Sequence, residues 1–190
     1  MANNHGQNAR LGAIGESYVQ MRLMQQGWDA FNANSTYNNY KSVDIICLRP
    51  EDAKIRKPRT ALIQVKTTKG KSFPLGFTID QCLDMDFLKE RVIGPWAFIA
   101  VDSENDTSTF RCYVLTRNQV IELAYKAHDW YKNMWKRDKD IKGTSVAALN
   151  EVWLYGEIKK CEGTTSQHPA FVNPLKGAQT KEAWENIWTE

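Results

Sequence analysis

The sequence predicts an α/β protein in which a mixed central β-sheet is flanked by helices. Hydrophobic residues make up 42% of its 190 residues and include seven Trp, so the chain can bury a core without disulfides or structural metal. Apolar residues recur at helical spacing near the N-terminus, and strand-like runs follow in the order α-β-β-β-α-β-β-α. We expect a core over residues 1–136 and a C-terminal extension over residues 137–190.

One helix and three strands form the first part of the predicted core. The spacing of its apolar residues defines the helix, and Gly27 is placed to end it. The second strand is apolar on both faces except at Asp44, which is typical of a central strand covered on both sides. The predicted ranges are Ala9–Gln26 for the helix and Trp28–Ala33, Val43–Leu48 and Ala61–Thr68 for the strands.

The second part of the chain begins with a loop over Lys69–Thr78 and then predicts helices around a hairpin. Gly94 and Pro95 are expected to end the first of these helices, while Thr116 and Gln119 have capping-box spacing at the start of the second. The first helix is predicted over Gln81–Val92, and the second, longer helix is predicted to end at about Lys136. The hairpin strands are predicted over Trp96–Val101 and Thr109–Leu115, with a turn over Asp102–Ser108. A short strand over Glu151–Ile158 and a last helix over Lys181–Trp188 are expected to follow.

Composition and motifs exclude several classes of protein. The four cysteines show no CxxC or zinc-knuckle spacing, which indicates reduced thiols in the cytoplasm. The longest apolar runs are far shorter than the roughly 18 to 20 residues that cross a bilayer, and the N-terminus lacks a signal-peptide pattern. Phosphate-binding and dinucleotide-binding glycine motifs are also missing. We expect a cytoplasmic protein that has no membrane partner.

The charge is distributed unevenly along the chain. Residues 1–75 contain eleven Lys and Arg against five Asp and Glu, whereas residues 76–190 contain fourteen against seventeen. The segment Ala53–Thr78 has seven basic residues and no acidic one. Such a segment attracts polyanions, although a solvated hairpin tip is the simpler interpretation of a charge run taken alone.

Three positions on the predicted strands do not suit a purely structural interpretation. Gln64 and Lys66 alternate with apolar residues, so both side chains leave the same face of one strand. Asp44 interrupts the apolar strand before it, where a carboxylate is costly to bury unless it is paired or binds a metal.

A fourth candidate, Glu16, lies on a partly apolar face of the first helix, and Gly12 and Gly15 would let that helix approach the sheet closely. Taken one at a time, these residues have simpler interpretations: a half-exposed strand, a turn-capping carboxylate and a solvated helix flank. Their order within fifty residues, with the basic segment beside them, favours a shared chemical role.

Three stretches of the chain together resemble the PD-(D/E)XK nuclease superfamily, which has a restriction-endonuclease-like core in the order α-β-β-β-α-β. The stretches are GAIGESYVQMRLMQQGWDAFNAN, SVDIICL and ALIQVKTTKG. They are similar to small bacterial, phage-like and intron-encoded homing members and to the Holliday-junction-resolvase-like group. The resemblance covers roughly residues 9–100, with weaker support to about residue 136.

The resemblance implies a role for each of four residues. Glu16 would be the helix carboxylate, Asp44 the metal-binding aspartate and Lys66 the lysine of the motif. Gln64 stands where most members have Glu or Asp, and Val43 stands where the motif has Pro. The resemblance therefore implies a nuclease site with one carboxylate fewer than usual.

The residue types suit hydrolysis of a phosphodiester bond with Mg²⁺, for which Mn²⁺ is the expected substitute. A hard cation takes oxygen ligands, which we expect from Glu16, Asp44, the Gln64 side chain and the Val65 carbonyl. Lys66 would position the attacking water or stabilise charge on phosphorus. Because Gln64 removes a negative charge, we expect weaker metal binding than at a site with Asp or Glu there.

DNA, duplex or branched, is the expected partner, and a homo-oligomer (dimer or tetramer) is expected because two strands must be cut. Residues 137–190 would pack on the core or contact DNA or another subunit. One alternative is a catalytically silent nucleic-acid-binding or protein-interaction module; another is a basic structural protein. The predicted DNA contacts are Tyr37, Asn39, Tyr40, Lys54, Arg56, Lys57, Arg59, Lys69 and Lys71.

Overall fold

The computed structural model describes residues 4–35, 42–49, 59–104, 107–135, 142–156 and 171–189. The described residues form four α-helices and seven β-strands. The helices are α1 (Asn4–Gln25), α2 (Ile79–Cys82), α3 (Met85–Arg91) and α4 (Arg117–Trp130). The strands are β1 (Asp29–Asn32), β2 (Ile45–Arg49), β3 (Arg59–Thr68), β4 (Ser72–Thr78), β5 (Trp96–Glu104), β6 (Thr107–Leu115) and β7 (Val146–Asn150).

The central sheet has five strands in the order β1-β2-β3-β5-β6. Strand β3 is parallel to β5, whereas the pairs β1–β2, β2–β3 and β5–β6 are antiparallel. A second, antiparallel sheet consists of β4 and β7. The predicted class is therefore confirmed: the protein is α/β, and its mixed sheet is flanked by helices.

Each face of the central sheet carries its own hydrophobic cluster. On one face, α1 packs across β1, β2 and β3, with Val19 and Leu23 among its buried contacts. On the other face, α2, α3, α4 and the small sheet cover β5 and β6, and Phe73 packs edge-on against Phe98. The alternation of side chains along β3 divides its residues between these two faces.

Two local predictions from the sequence are confirmed in detail. The Thr116 side chain accepts a hydrogen bond from the Gln119 main chain, and the Gln119 side chain accepts one from the Thr116 main chain, which completes the capping box of α4. The hairpin of β5 and β6 also forms, with Trp96 opposite Leu115. At its N-terminal end α1 begins earlier than predicted, and Gly27 follows its C-terminus with a positive φ of 79°.

Other predicted elements are wrong. The predicted loop Lys69–Thr78 contains β4, in which Phe73 and Leu75 alternate with exposed residues; Pro74 and Gly76 had hidden this period-2 pattern. The predicted helix Gln81–Val92 is two helices, because Asp84 caps the start of α3. The predicted turn Asp102–Ser108 is shorter, since β5 and β6 extend into it.

The C-terminal predictions also need correction. The strand expected from Glu151 is a short 3-10 turn over Glu151–Leu154, and the strand β7 precedes it. The expected last helix is a 3-10 turn over Trp184–Trp188. The described parts of residues 137–190 pack into the core: Trp184, Ile187 and Trp188 are buried beside α1 and β3.

A buried ionic cluster connects the strand β6 to the turn after β7. Glu151 is buried and accepts hydrogen bonds from the guanidinium of Arg111 and from the hydroxyl of Tyr113. Arg111 also pairs with Asp102 on the neighbouring strand. The Arg111 hydrogen bonds hold the pKa of Glu151 below its usual value although burial acts in the opposite direction.

Two further predictions concern membranes and thiols. No helix in the described part of the chain has the length and apolar composition needed to cross a membrane. Cys47, Cys82 and Cys112 are buried free thiols, whereas Cys161 lies outside the described residues.

Candidate active site

Asp44 lies one residue before β2, and its main chain already pairs with both neighbours. Its N–H donates to the Ile63 carbonyl at 2.9 Å, and its carbonyl accepts from the Ala33 N–H at 2.8 Å. These bonds fix the main chain, so the side chain leaves the sheet on the face opposite Ile45, which packs beneath α1. The strand therefore starts later than predicted, yet Asp44 keeps its expected place.

The Asp44 side chain is 9% exposed and surrounded by hydrogen-bond donors. Its Oδ2 accepts from the Val65 main-chain N–H at 2.7 Å and from the side-chain amide of Gln64. Its Oδ1 accepts a longer bond of 3.3 Å from the Asn34 side chain. Such N–H donors satisfy the buried carboxyl group and hold the Asp44 side chain in one orientation.

Glu16 reaches the same area from α1. The helix lies close to β3 at Gly15, where a Cβ would come within 1.9 Å of the Thr67 hydroxyl oxygen. The Glu16 carboxylate accepts a 2.8 Å hydrogen bond from the Asn32 side chain. Burial raises the pKa of Glu16 and the nearby charge of Asp44 raises it further, whereas the Asn32 hydrogen bond lowers it.

Asn32 and Asn34 connect the two carboxylates. The side-chain oxygen of Asn32 accepts a 2.8 Å hydrogen bond from the Asn34 main-chain N–H. Because Asn32 also donates to Glu16 and Asn34 donates to Asp44, a continuous path of hydrogen bonds joins both acidic groups. This arrangement keeps two like charges at a defined separation.

Lys66 leaves β3 on the same face as Gln64, as the alternation predicts. Its ammonium lies 5.0 Å from the centroid of the Trp96 ring. It also lies beside Gly76, where a Cβ would approach Nζ to 3.6 Å. Burial lowers the pKa of Lys66, and the charge of Asp44 opposes that change. The amine is therefore less strongly protonated than an ordinary surface lysine.

Asp44 accepts a hydrogen bond from Gln64 and interacts electrostatically with Glu16 and with Lys66, so the candidates from α1, the start of β2 and the middle of β3 lie around Asp44. Four neighbours of these residues were not predicted from the sequence: Asn32, Asn34, Trp96 and Gly76. Asn32 and Asn34 belong to an Asn-rich segment that the composition shows. Trp96 and Gly76 carry no local signal, because only the pairing of β3 with β5 and the position of β4 bring them to Lys66.

The sheet face that carries Asp44 and Gln64 is open along the next row of residues. Phe31, Ile46 and Leu62 are paired across β1, β2 and β3 in that row. The exposed fractions of Phe31 and Leu62 are 51% and 36%. This face of the sheet is therefore accessible beside Asp44.

The site offers two carboxylates to a cation. Within the described ranges there is no group of three or more His, Cys, Asp or Glu that could hold a metal. Mg²⁺ is nevertheless commonly bound through one or two carboxylates, with water and phosphate completing its shell. Glu16 and Asp44 supply two carboxylates. Gln64 turns its amide nitrogen toward Asp44, so its ligand role and that of the Val65 carbonyl stay predictions.

The predicted DNA contacts are only partly within the described residues. Lys69 and Lys71 are exposed and follow the end of β3 nearest Lys66. Arg59 is at the opposite end of β3, about 17 Å from Gln64 along the strand. It donates to the Trp188 carbonyl at 2.5 Å and packs over that ring, so its structural role is local. Outside the described residues lie Tyr37, Asn39, Tyr40, Lys54, Arg56 and Lys57.

The two threonines that end β3 have structural roles. Thr68 accepts a hydrogen bond from the Gly70 N–H at 3.1 Å, which closes the turn after the strand. The Thr67 hydroxyl is buried against Gly15 and has no partner among the described residues.

No known protein family, curated protein or solved structure matches this chain significantly.

Proposed function

We propose that the protein is a Mg²⁺-dependent endonuclease that hydrolyses phosphodiester bonds in DNA. The observation that carries the proposal is the buried carboxylate of Asp44, which interacts electrostatically with the half-buried Glu16 and with the half-buried amine of Lys66 beside an open sheet face. Carboxylates of this kind are costly to keep close together without a cation. A polyanionic substrate suits the basic segment that includes Lys69 and Lys71.

In this proposal, Glu16 and Asp44 hold the cation, which supplies Lewis-acid neutralisation of the phosphate and a lowered pKa for the attacking water. Asp44 is oriented for this by the Val65 N–H and the Gln64 amide, which both bind Oδ2. Lys66 places its ammonium where it stabilises negative charge on the phosphate or positions the water. Contact with the Trp96 ring restricts where that ammonium lies.

The proposed site would work on both strands of a duplex through a homo-oligomer, because one site faces one strand at a time.

Free buried thiols at Cys47, Cys82 and Cys112 suit a reducing compartment such as the cytoplasm. Both points are part of the proposal.

Nicking of supercoiled plasmid in Mg²⁺ and in Mn²⁺ tests the proposal. Asp44→Asn and Lys66→Ala are expected to lower the rate by about 100-fold or more, because each removes a group that acts on the phosphate. Asp86→Asn and Lys89→Ala are matched controls, since both side chains are exposed on α3, and they should cleave as the wild type does. EDTA should abolish cleavage by every active variant.

Cleavage that survives in Asp44→Asn or in EDTA would refute a metal-dependent site at Asp44. Absence of cleavage on plasmid, on branched DNA and in both metals would refute nuclease activity.

One observation favours a second candidate, a catalytically silent module that binds nucleic acid or protein. Asp44 Oδ2 already accepts two hydrogen bonds, from the Gln64 amide and the Val65 N–H, and these stabilise the carboxylate without a cation. A silent module would bind DNA equally well in EDTA, and Gln64→Glu would weaken its folding without any gain in cleavage. A metal-dependent enzyme would bind DNA more weakly in EDTA, and Gln64→Glu would tighten its metal binding and raise its cleavage in Mg²⁺.

A further inference from the structure

A groove of 330 Å³ lies between α4 and the β4–β7 sheet, and it shares no residue with the candidate active site. The strand residues at the base of the groove include small side chains, and α4 and the turn after β7 form its two sides. Its volume is at the lower end of the range for small-molecule sites. The residues that line it are Ser72, Ile79, Ala127, His128, Tyr131, Ser145, Val146, Ala148, Asn150 and Trp153.

His128 is a buried polar residue in the lining of this groove. The residue is 4% exposed, and its Nδ1 lies 2.7 Å from the Ala124 carbonyl oxygen. A carbonyl only accepts, so Nδ1 carries the proton of that bond. Burial lowers the pKa of His128, which keeps the ring neutral near pH 7. Nε2 is then an acceptor, and within the described residues no donor is bonded to it.

The rest of the lining defines what the groove accepts. No Asp, Glu, Lys or Arg is among the residues that line it, so neither an anion nor a cation would find a counter-charge. The rings of Tyr131 and Trp153 supply aromatic surface, and Ala148 has a small side chain at the base of the groove. Helix α4 changes to π-helical geometry over Tyr131–Trp135, beginning at the groove. Such widened turns occur often at functional sites.

We propose that this groove binds a small, neutral, flat ring compound that donates an N–H or O–H hydrogen bond to His128 Nε2. The rings of Tyr131 and Trp153 contact the compound, and His128 Nε2 accepts the hydrogen bond from its edge. Because the groove is separate from the Asp44 site, this binding does not depend on the proposed nuclease activity.

Nitrogen-15 NMR of the His128 ring tests the proposal with two probes of nearly the same shape. Indole carries an N–H donor, and benzofuran has an oxygen in its place. Indole is expected to shift the Nε2 resonance of His128 and to bind about fivefold more tightly than benzofuran, which corresponds to one hydrogen bond. In His128→Leu the preference for indole should disappear.

A second variant keeps the test decisive if His128→Leu fails to fold. Ala148→Leu fills the floor from a half-buried position, and it should abolish binding of both probes while the free His128 spectrum stays unchanged. Equal binding of indole and benzofuran to the wild type would overturn the proposal. So would indole binding that Ala148→Leu leaves intact, or no His128 shift with either probe.

Discussion

At the scale of single residues, Gln64 decides how the site behaves without a cation. Its amide donates to Asp44 Oδ2 and so offsets the negative charge of that carboxylate. A carboxylate at position 64 would instead face Asp44 at hydrogen-bond distance, with Glu16 also nearby. Two like charges in a partly buried site destabilise the fold unless a cation lies between them.

Gln64→Glu is therefore expected to be less stable than the wild type in EDTA, by about 1–3 kcal/mol, because a donor to a buried carboxylate becomes a repelling charge. Saturating Mg²⁺ should recover most of that loss. Thermal unfolding with and without Mg²⁺ measures both effects. Gln25→Glu, on an exposed residue near the end of α1, is the control. A variant that Mg²⁺ stabilises no more than it stabilises the wild type would contradict the role assigned to position 64.

The four candidate side chains stand out in the sequence because their chemistry departs from their surroundings. Asp44 and Lys66 interrupt apolar strands, and a period of two places Gln64 and Lys66 on one face whatever the rest of the fold does. The neighbours Trp96 and Gly76 were not predictable, since their proximity to Lys66 depends on a parallel strand pairing and on the missed strand β4.

At the scale of elements, the contact of α1 with β3 positions Glu16. Gly15 lies against Thr67 so closely that no Cβ fits between them. The sequence predicted close approach at both Gly12 and Gly15, but a Cβ at Gly12 would meet nothing within 4 Å. The prediction for Gly12 is thus wrong, because that glycine does not face β3.

The two glycines form a matched pair for a test. Gly15→Ala should lower the free energy of unfolding by about 1–3 kcal/mol, because α1 must move away from β3. Gly12→Ala should be neutral or stabilise by up to about 1 kcal/mol through helix propensity. Denaturant unfolding measures both values. Equal effects of the two substitutions would mean that α1 does not pack on β3 through Gly15.

The accuracy of the element predictions followed the strength of the local signal. The α4 cap was predictable because the reciprocal hydrogen bonds of Thr116 and Gln119 involve only four consecutive residues. Strand β4 was missed because Pro74 and Gly76 are turn residues by propensity, and its alternation is stabilised by pairing with the distant β7. Propensity yields to tertiary packing in such segments.

At the scale of the whole molecule, the described C-terminal residues belong to the core. Trp188 packs edge-on against Trp28 at a ring distance of 5.2 Å. Glu182 pairs with Arg22 of α1 at 2.5 Å and accepts a hydrogen bond from Tyr18. Of the alternatives expected for residues 137–190, packing on the core is the one that Trp184 and Trp188 follow, since both are buried.

Trp184→Ala is accordingly expected to destabilise the protein by about 3–5 kcal/mol, because a large buried ring is removed. Val172→Ala, at a position 78% exposed in the same part of the chain, should change stability by less than about 0.5 kcal/mol. Urea unfolding followed by far-UV circular dichroism should show a single transition for both. Two transitions, or equal midpoints for the two variants, would mean that the C-terminal part folds separately from the core.

The central claim is that Glu16 and Asp44 hold one divalent cation, and calorimetric titration with Mn²⁺ tests it most directly. The wild type is expected to bind one Mn²⁺ per chain. Glu16→Gln should bind Mn²⁺ at least tenfold more weakly, and Asp44→Asn should show no binding, because each substitution removes an anionic oxygen ligand. Asp86→Asn should bind as the wild type does. Absence of Mn²⁺ binding to the wild type, or unchanged binding in Asp44→Asn, would contradict the account.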